Sequence, residues 1–360
     1  MKIAQVSAAY YPHAGGIETV VREVSERLAG RGFEIDILTY DPSGKLDPCE
    51  VISGVTVRRF RPGPWGWDFP SSISSLSGYL AENSRRYDLI HAHNYQSFPA
   101  LFVARAKREN RMVFSPYYHG TGRNLRRTLL HTLYRRVGKT IFEKADRVIC
   151  ISQSEKALVQ RHFSVPHEKM NLIPPGVNQE AIAKAKSLAF DGVLLLYVGR
   201  LDKYKNVDLA MKAMPYLPPE YRLVVIGDGS YKETLKQLAR RLHLGDRVRM
   251  ISGLSNEEVY RWYKTCNLVL LLSGQESFGL VVIEGLAAGK PVLVNNIGPL
   301  AELAAKFKQV YTVDATTLPS SELAKKIIQA CAKKTEPCDL SEYSWDSVAL
   351  KMENLYKSLC

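Results

Sequence analysis

Two glutamates, Glu276 and Glu284, stand eight positions apart in GQESFGLVVIEGLAAGKPVLVNNIG, residues 274–298. The apolar run NLVLLLS before this stretch reads as a buried parallel strand, and PVLVNN at its end reads as another. Gly279 marks the point where a loop yields to a helix. The N–H groups of Gly279, Leu280 and Val281 then face outward, and a helix start of that kind attracts phosphate. Glu284 falls about one turn further in. A carboxylate there would repel a phosphate directly beside it but suits the hydroxyls of a ribose attached to that phosphate. Glu276, in the loop, suits the hydroxyls of a second polyol. The pattern fits a nucleoside diphosphate bound to a sugar. On the two acids alone, a pair of solvated carboxylates fits as well.

A second constellation lies upstream. The strand pattern at 193–198 ends in Gly199-Arg200, and Lys205 follows in GRLDKYKNV before a helix begins near Val207. Two cations on a loop at the carboxyl end of a strand can straddle a diphosphate, Arg by a fork and Lys as a point charge. They would also stabilise charge on a leaving nucleotide. Gly227-Asp228-Gly229 is a further strand-to-helix turn that fits beneath a nucleotide. Near the N-terminus, a strand over 2–7 leads through a loop to Gly15-Gly16 and a helix. Glycines there let a ligand approach the backbone, or simply make a tight turn. They are not the G-x-G-x-x-G dinucleotide fingerprint, so no NAD is inferred. His119-Gly120 ends a strand pattern over 112–118, where open α/β sheets place ligands.

The segment ESFGLVVIEGLAAGKPV resembles the signature of the retaining glycosyltransferases of the GT-B fold, family four, and GRLDKYKNV resembles their G-R-x4-K segment. The resemblance implies that Glu284 holds the donor ribose, Glu276 contacts the transferred sugar, and the Gly279-Leu280 amides, following Phe278, meet the diphosphate. It implies donor contacts at Gly15, Gly16, Gly199 and Gly227, and a catalytic set of His119, Arg200, Lys205 and Glu276. Transfer would need no metal and no cofactor beyond the donor substrate. Pro299, where the family commonly has a second glycine, and Gly285, where it commonly has alanine, are departures that leave the sugar open.

The rest of the chain bounds this reading. Its 360 residues suggest two domains, and 46% hydrophobic with 24% charged residues is a globular composition. No apolar run approaches the ~20 residues of a membrane span. Six scattered cysteines without metal spacing favour a cytoplasmic, reduced protein. The net charge is +13, of which +9 falls in residues 1–175, with 25 Lys and Arg against 16 Asp and Glu. Such an excess suits an anionic ligand or membrane surface, and no nucleic-acid motif accompanies it.

Repeated strand–helix patterns predict an α/β protein, and the resemblance implies two Rossmann-like domains facing across a cleft. The expected boundaries are 1–178, joined by a C-terminal helix over 343–360, and 179–342, with a linker over 179–189. His91 and His93 share one face of a strand. A metal pair lacks a third ligand, and structural histidines fit better. The loop RPGPWGWDFP, with Trp65, Trp67 and Phe69, is either a packed loop or a binding edge. Residues 123–139 form a basic amphipathic helix with an apolar stripe at Leu125, Leu129, Leu133 and Val137. It suits packing on the sheet, or an anionic membrane surface at the inner face. The expected activity is hexosyl transfer from a UDP- or GDP-linked sugar to a glycan or lipid-linked acceptor. An epimerase-like GT-B enzyme, a non-catalytic partner subunit that binds nucleotide sugar, and a nucleic-acid binder stay open as other readings.

Overall fold

The computed structural model describes residues 1–13, 15–61, 75–120, 125–333 and 335–360, with the helical stretch 125–133 described by its backbone only. The loop holding Trp65, Trp67 and Phe69 lies outside the described residues. The chain divides into two compact units, Met1–Gly176 with Trp345–Cys360, and Val177–Ser344. Each is an α/β unit built on a parallel sheet. Among the described residues, no helix is long and apolar enough to cross a membrane.

Among the described residues the first unit has eight strands, β1 (Lys2–Val6), β2 (Glu34–Tyr40), β3 (Cys49–Ile52), β4 (Val55–Phe60), β5 (Leu89–His93), β6 (Arg111–Ser115), β7 (Arg147–Cys150) and β8 (Met170–Leu172). Their order is β3-β4-β2-β1-β5-β6-β7-β8, and only β3 runs antiparallel to its neighbour. Alternation along the strands feeds two cores. Ala4, Val6, Ile90 and Ala92 pack on one face, beneath α2 (Ser75–Asn83), α3 (Phe98–Ala106), α4 (Leu125–Lys144) and α5 (Gln153–Phe163). Ile3 and Leu89 pack on the other, with Val20, Val24 and Leu28 of α1 (Gly16–Gly30). The C-terminal helix Trp345–Lys357 adds Val348, Met352 and Tyr356 to that second core and is bound to α1 by the Arg27–Asp346 and Arg31–Glu353 ion pairs.

Among the described residues the second unit has six parallel strands, β9 (Val193–Val198), β10 (Tyr221–Ile226), β11 (Val248–Ile251), β12 (Leu268–Leu271), β13 (Val292–Asn295) and β14 (Val310–Val313), in the order β11-β10-β9-β12-β13-β14. The stretch expected as linker is otherwise. Gln179–Lys184 is a short helix, α6, because the Asn178 side chain caps it by accepting from the Ala181 amide at 3.1 Å, and Ile182 is fully buried. The remaining helices are α7 (Val207–Ala213), α8 (Lys232–Arg241), α9 (Asn256–Thr265), α10 (Leu280–Ala287), α11 (Gly298–Lys306) and α12 (Ser320–Cys331), with α13 being Trp345–Lys357. Pro299 sits in the first turn of α11, where its missing N–H costs nothing.

Candidate active site

Strand order decides where a parallel sheet opens. In the second unit the order reverses between β9 and β12, and ligands of open α/β sheets bind at the carboxyl ends of strands beside such a reversal. The loop after β9 carries Gly199, Arg200 and Lys205. The loop after β12 carries Glu276, Phe278 and Gly279. The two strongest motifs in the sequence, about 70 residues apart, therefore meet at the switch point of one sheet.

The two loops are laced together. Lys205 Nζ donates to Glu276 Oε1 at 2.5 Å, with both side chains 14% exposed. The Gly274 amide donates to the Tyr204 carbonyl at 2.7 Å, and Asn206 Nδ2 to the Leu272 carbonyl at 2.9 Å. Asn206 adopts a left-handed conformation (φ 54°), a region that a short polar side chain tolerates. Lys205 also stands 5.2 Å from the centre of the Tyr204 ring. Arg200 is more open: its side chain is 63% exposed, and its Nη2 donates to Asp202 Oδ2 at 2.7 Å. Asp202 is held in turn by Ser230, whose hydroxyl donates at 3.1 Å.

Glycines allow this close approach. A Cβ on Gly227 (φ 150°) would lie 1.9 Å from the Gly199 carbonyl oxygen, so Gly227 closes the β10 end against the β9 end. Gly279 (φ 102°) caps α10, and a Cβ there would meet Leu300 Cδ2 at 2.6 Å. The cap frees the first amides of α10, including Leu280. Phe278 turns its ring into the unit, 5.8 Å from the Tyr343 ring centre, so only its backbone is left for a ligand.

Glu284 projects from α10 and is half-buried. It accepts from the Tyr263 hydroxyl at 2.7 Å. Burial pushes its carboxyl above the usual range, and the tyrosine bond partly offsets that push. The same burial, beside the Glu284 charge, drives the Tyr263 phenol well up, so the phenol stays the donor. Sequence reasoning missed Tyr263 because its partner lies 21 residues on, in another helix. It also missed Asp202, although that residue stands inside GRLDKYK.

The first unit has its own reversal, between β1 and β5. Gly15 is the N-cap of α1 and Gly16 its first residue; nothing lies within 4 Å of a Cβ built on Gly16, whereas on Gly15 it would meet the Glu18 carboxylate. His119 is half-buried on the loop after β6. His91 and His93 are fully engaged in the interior. His91 meets the Tyr356 hydroxyl at 2.6 Å and Ser115 at 2.8 Å, and His93 meets Gln5 at 2.8 Å and Tyr117 at 3.3 Å. These are structural histidines. Among the described residues no group of three or more His, Cys, Asp or Glu could hold a metal ion. In the basic helix, Leu125, Leu129 and Leu133 have side chains outside the described residues. Val137 is 44% exposed, with Arg136 and Lys139 exposed beside it, and among the described side chains of this helix Gly138, Ile141 and Phe142 are the buried ones.

Comparison with known proteins bears on both units. The family model described as glycosyl transferases group 1 matches residues 178–345, and that described as glycosyltransferase family 4 matches residues 14–181. A D-inositol 3-phosphate glycosyltransferase of Catenulispora acidiphila is 30% identical over 81% of this chain and 76% of its own. The fold of a sucrose-phosphate synthase from Thermosynechococcus elongatus superposes with a TM-score of 0.83 at 23% identity, covering 99% of this chain and 98% of that one. Anabaena HepE, solved in complex with UDP-glucose, superposes with a TM-score of 0.78 at 18% identity, covering 99% and 100%.

Proposed function

This chain belongs to the group 1 glycosyltransferases of the GT-B fold, and on that premise we propose that it moves a hexosyl group from a UDP- or GDP-linked sugar to a glycan or lipid-linked acceptor, with retention at the anomeric carbon and without a metal or cofactor. The observation that carries the donor reading is the Lys205–Glu276 contact at 2.5 Å on the switch-point loops. It sets a cation for a diphosphate beside an acceptor for sugar hydroxyls. The amides of Gly279 and Leu280, at the start of α10, would take the remaining phosphate oxygens, and Glu284, oriented by Tyr263, the ribose. That HepE was solved with UDP-glucose supports a nucleotide sugar as donor.

The chemistry follows from the charges. As the bond from the anomeric carbon to the β-phosphate oxygen breaks, negative charge grows on the leaving phosphate, and Lys205 and Arg200 stabilise it. The acceptor hydroxyl attacks from the same face. Its proton passes to the leaving phosphate oxygen, so the configuration is retained and no covalent glycosyl-enzyme forms. His119 is assigned to the transferred sugar, and Gly15 and Gly16 to backbone approach. For the acceptor side, the exposed Val137 with Arg136 and Lys139 supports contact of the basic helix with an anionic membrane surface at the cytoplasmic face.

A thermal-shift panel of UDP, GDP, ADP and their sugar conjugates tests the donor. A fitting nucleotide raises the midpoint in step with RT ln(1 + [L]/Kd). Proton NMR of the product then reads the anomeric configuration. An inverted product, or no response to any nucleotide, sinks the proposal. Flotation with and without anionic lipid tests the surface contact, and equal recovery in both removes it.

A further inference from the structure

The loop that carries His119 is unusual in what holds it. Tyr117, before it, is left-handed (φ 50°) although it is not glycine, and Gly120, after it, is left-handed too (φ 80°). Glycine takes that region freely, but a tyrosine there persists only where the surroundings over-determine it. The surroundings are visible. His93 reaches the Tyr117 hydroxyl, His162 meets the Tyr118 hydroxyl at 2.7 Å, and Arg135 donates to the Gly120 carbonyl at 2.6 Å. The backbone between these anchors is tied by a single carboxylate. Glu155 Oε1 accepts from the Tyr118 amide at 2.6 Å, and Oε2 accepts from the Ile151 amide at 2.7 Å.

Glu155 stands three residues into the N-terminus of α5, whose Ser152 cap accepts from its amide. At that position a glutamate normally turns back to the cap residue at the surface. Here it is 2% exposed and bridges the carboxyl ends of β6 and β7. The bridge favours the ionised form. Both oxygens face an N–H, and protonation would convert one of them into an O–H donor confronting a donor.

We propose that Glu155 is a positioning residue: its ionised carboxylate fixes the Tyr118–His119 peptide, and protonation releases His119 from the geometry that transfer needs. This deepens the catalytic reading above and rests on its assignment of His119. Burial raises the Glu155 carboxyl to about 7, with the two amide bonds pulling the other way, so the switch falls in a range a cell can reach.

The groups around it do not imitate the switch. Tyr117 on the β6 loop and Cys150 on β7 are both pushed far upward by burial and stay neutral. Among the described residues, Lys156 on α5, Arg135 on α4, Glu18 on α1 and Tyr356 on α13 also act on the groups of this cluster. His162 is shifted below its ordinary value by burial and by Arg135 and Arg161, which places its titration on the acid side of that of Glu155.

The test compares the intact protein with Glu155→Gln, His162→Phe and His119→Ala. UDP-glucose turnover, with water as acceptor, and amide exchange at Tyr118 and Ile151 are followed from about pH 5.5 to 8.5. In the intact protein, turnover should fall below about pH 7, and the Tyr118 and Ile151 amides should lose protection over the same range, beyond the intrinsic pH dependence of exchange. Glu155→Gln should remove both pH dependences and lower the plateau about tenfold or more, since a misplaced group costs up to ~100-fold. His162→Phe should keep the limb. Protection of Tyr118 that is independent of pH in the intact protein overturns the proposal, and this holds even if Glu155→Gln fails to fold. A Glu155→Gln profile that matches the intact one overturns it as well. Full turnover by His119→Ala removes instead the assignment of His119, while the exchange data still judge the Glu155 bridge.

Discussion

The two units carry loops at the carboxyl ends of similar parallel sheets, yet they hold them by opposite means. In the second unit, charged side chains pair with each other where the sheet opens: Lys205 with Glu276, Arg200 with Asp202. In the first, the loops rest on groups taken out of water, His91, His93, Tyr117 and Glu155, whose bonds are to neutral partners or to backbone amides. A pair of exchangeable charges can hand its bonds to an anionic ligand. A buried network cannot, and its use is to fix geometry. The difference separates a surface built to meet charge from one built to stay still.

The largest effect expected from this contrast is on catalysis. Lys205→Ala should lower transfer by roughly 100- to 1,000-fold at saturating donor, the usual cost of one lost transition-state donor. The same change leaves Glu276 without its ion-pair partner, at a cost of about 1–3 kcal/mol. Urea unfolding should therefore show a folded protein with almost no turnover. Unchanged turnover would mean that the ion pair is merely structural and that the second unit, like the first, uses its loop contacts only to fix geometry.

Next in size is Gly227→Ala. Its Cβ would press on the Gly199 carbonyl oxygen at 1.9 Å, in a conformation that suits glycine alone. Strain and overpacking together should cost on the order of 3 kcal/mol, read as a shift in the urea midpoint. A shift below about 1 kcal/mol would show that the two strand ends can part easily.

Acid should separate the units. His93 is held down to about 3 by burial, and His91 well below its ordinary value. The unfolded chain, at about 6.5, then binds protons that the folded one refuses, so their contribution is present above pH ~6.5 and lost as pH falls toward 3. Each histidine adds a slope of about 1.4 kcal/mol per pH unit in that window. Glu155 runs the other way between about 4.5 and 7, since its folded carboxyl holds a proton that the unfolded one releases. Between pH ~6.5 and ~4.5 these three groups together lose about one proton's worth net, roughly 1.4 kcal/mol per unit of acidification, and below ~4.5 the two histidines act without the offset. In the second unit the raised Glu284 carboxyl contributes with the opposite sign to the buried histidines. Site-resolved amide exchange at two pH values would show the first unit opening first; equal loss would erase the distinction.

The same contrast explains what could be read from the chain alone. The signature around Glu276 and Glu284 and the Gly199–Lys205 segment were legible because each is local. A loop, a helix start and a charge within ten residues impose their spacing on the sequence. The two sheets were legible from alternating strand and helix patterns. The partners were not. Tyr263 reaches Glu284 from another helix, Tyr356 reaches His91 across 265 residues, and Glu155 looks like an ordinary capping glutamate. Burial by distant elements decides these contacts, and a single sequence carries no period for it. The stretch expected as linker failed for a related reason, since the Asn178 cap and Ile182 fit a helix that only packing makes worthwhile.

The smallest effect is also the most discriminating for the first unit. Gly16 opens α1, has no left-handed backbone to protect, and has nothing within 4 Å of a Cβ built on it. Folding alone gives no reason for glycine there. Alanine, which favours helix and reduces the freedom of the unfolded chain, should leave stability unchanged or raise it by about 0.4–1 kcal/mol. If the space is kept for a ligand to approach the helix N-terminus, turnover should fall while the urea midpoint holds or rises. If turnover also holds, Gly16 serves no ligand, and the role proposed for the first unit rests on the loop that His119 shares with the Glu155 bridge.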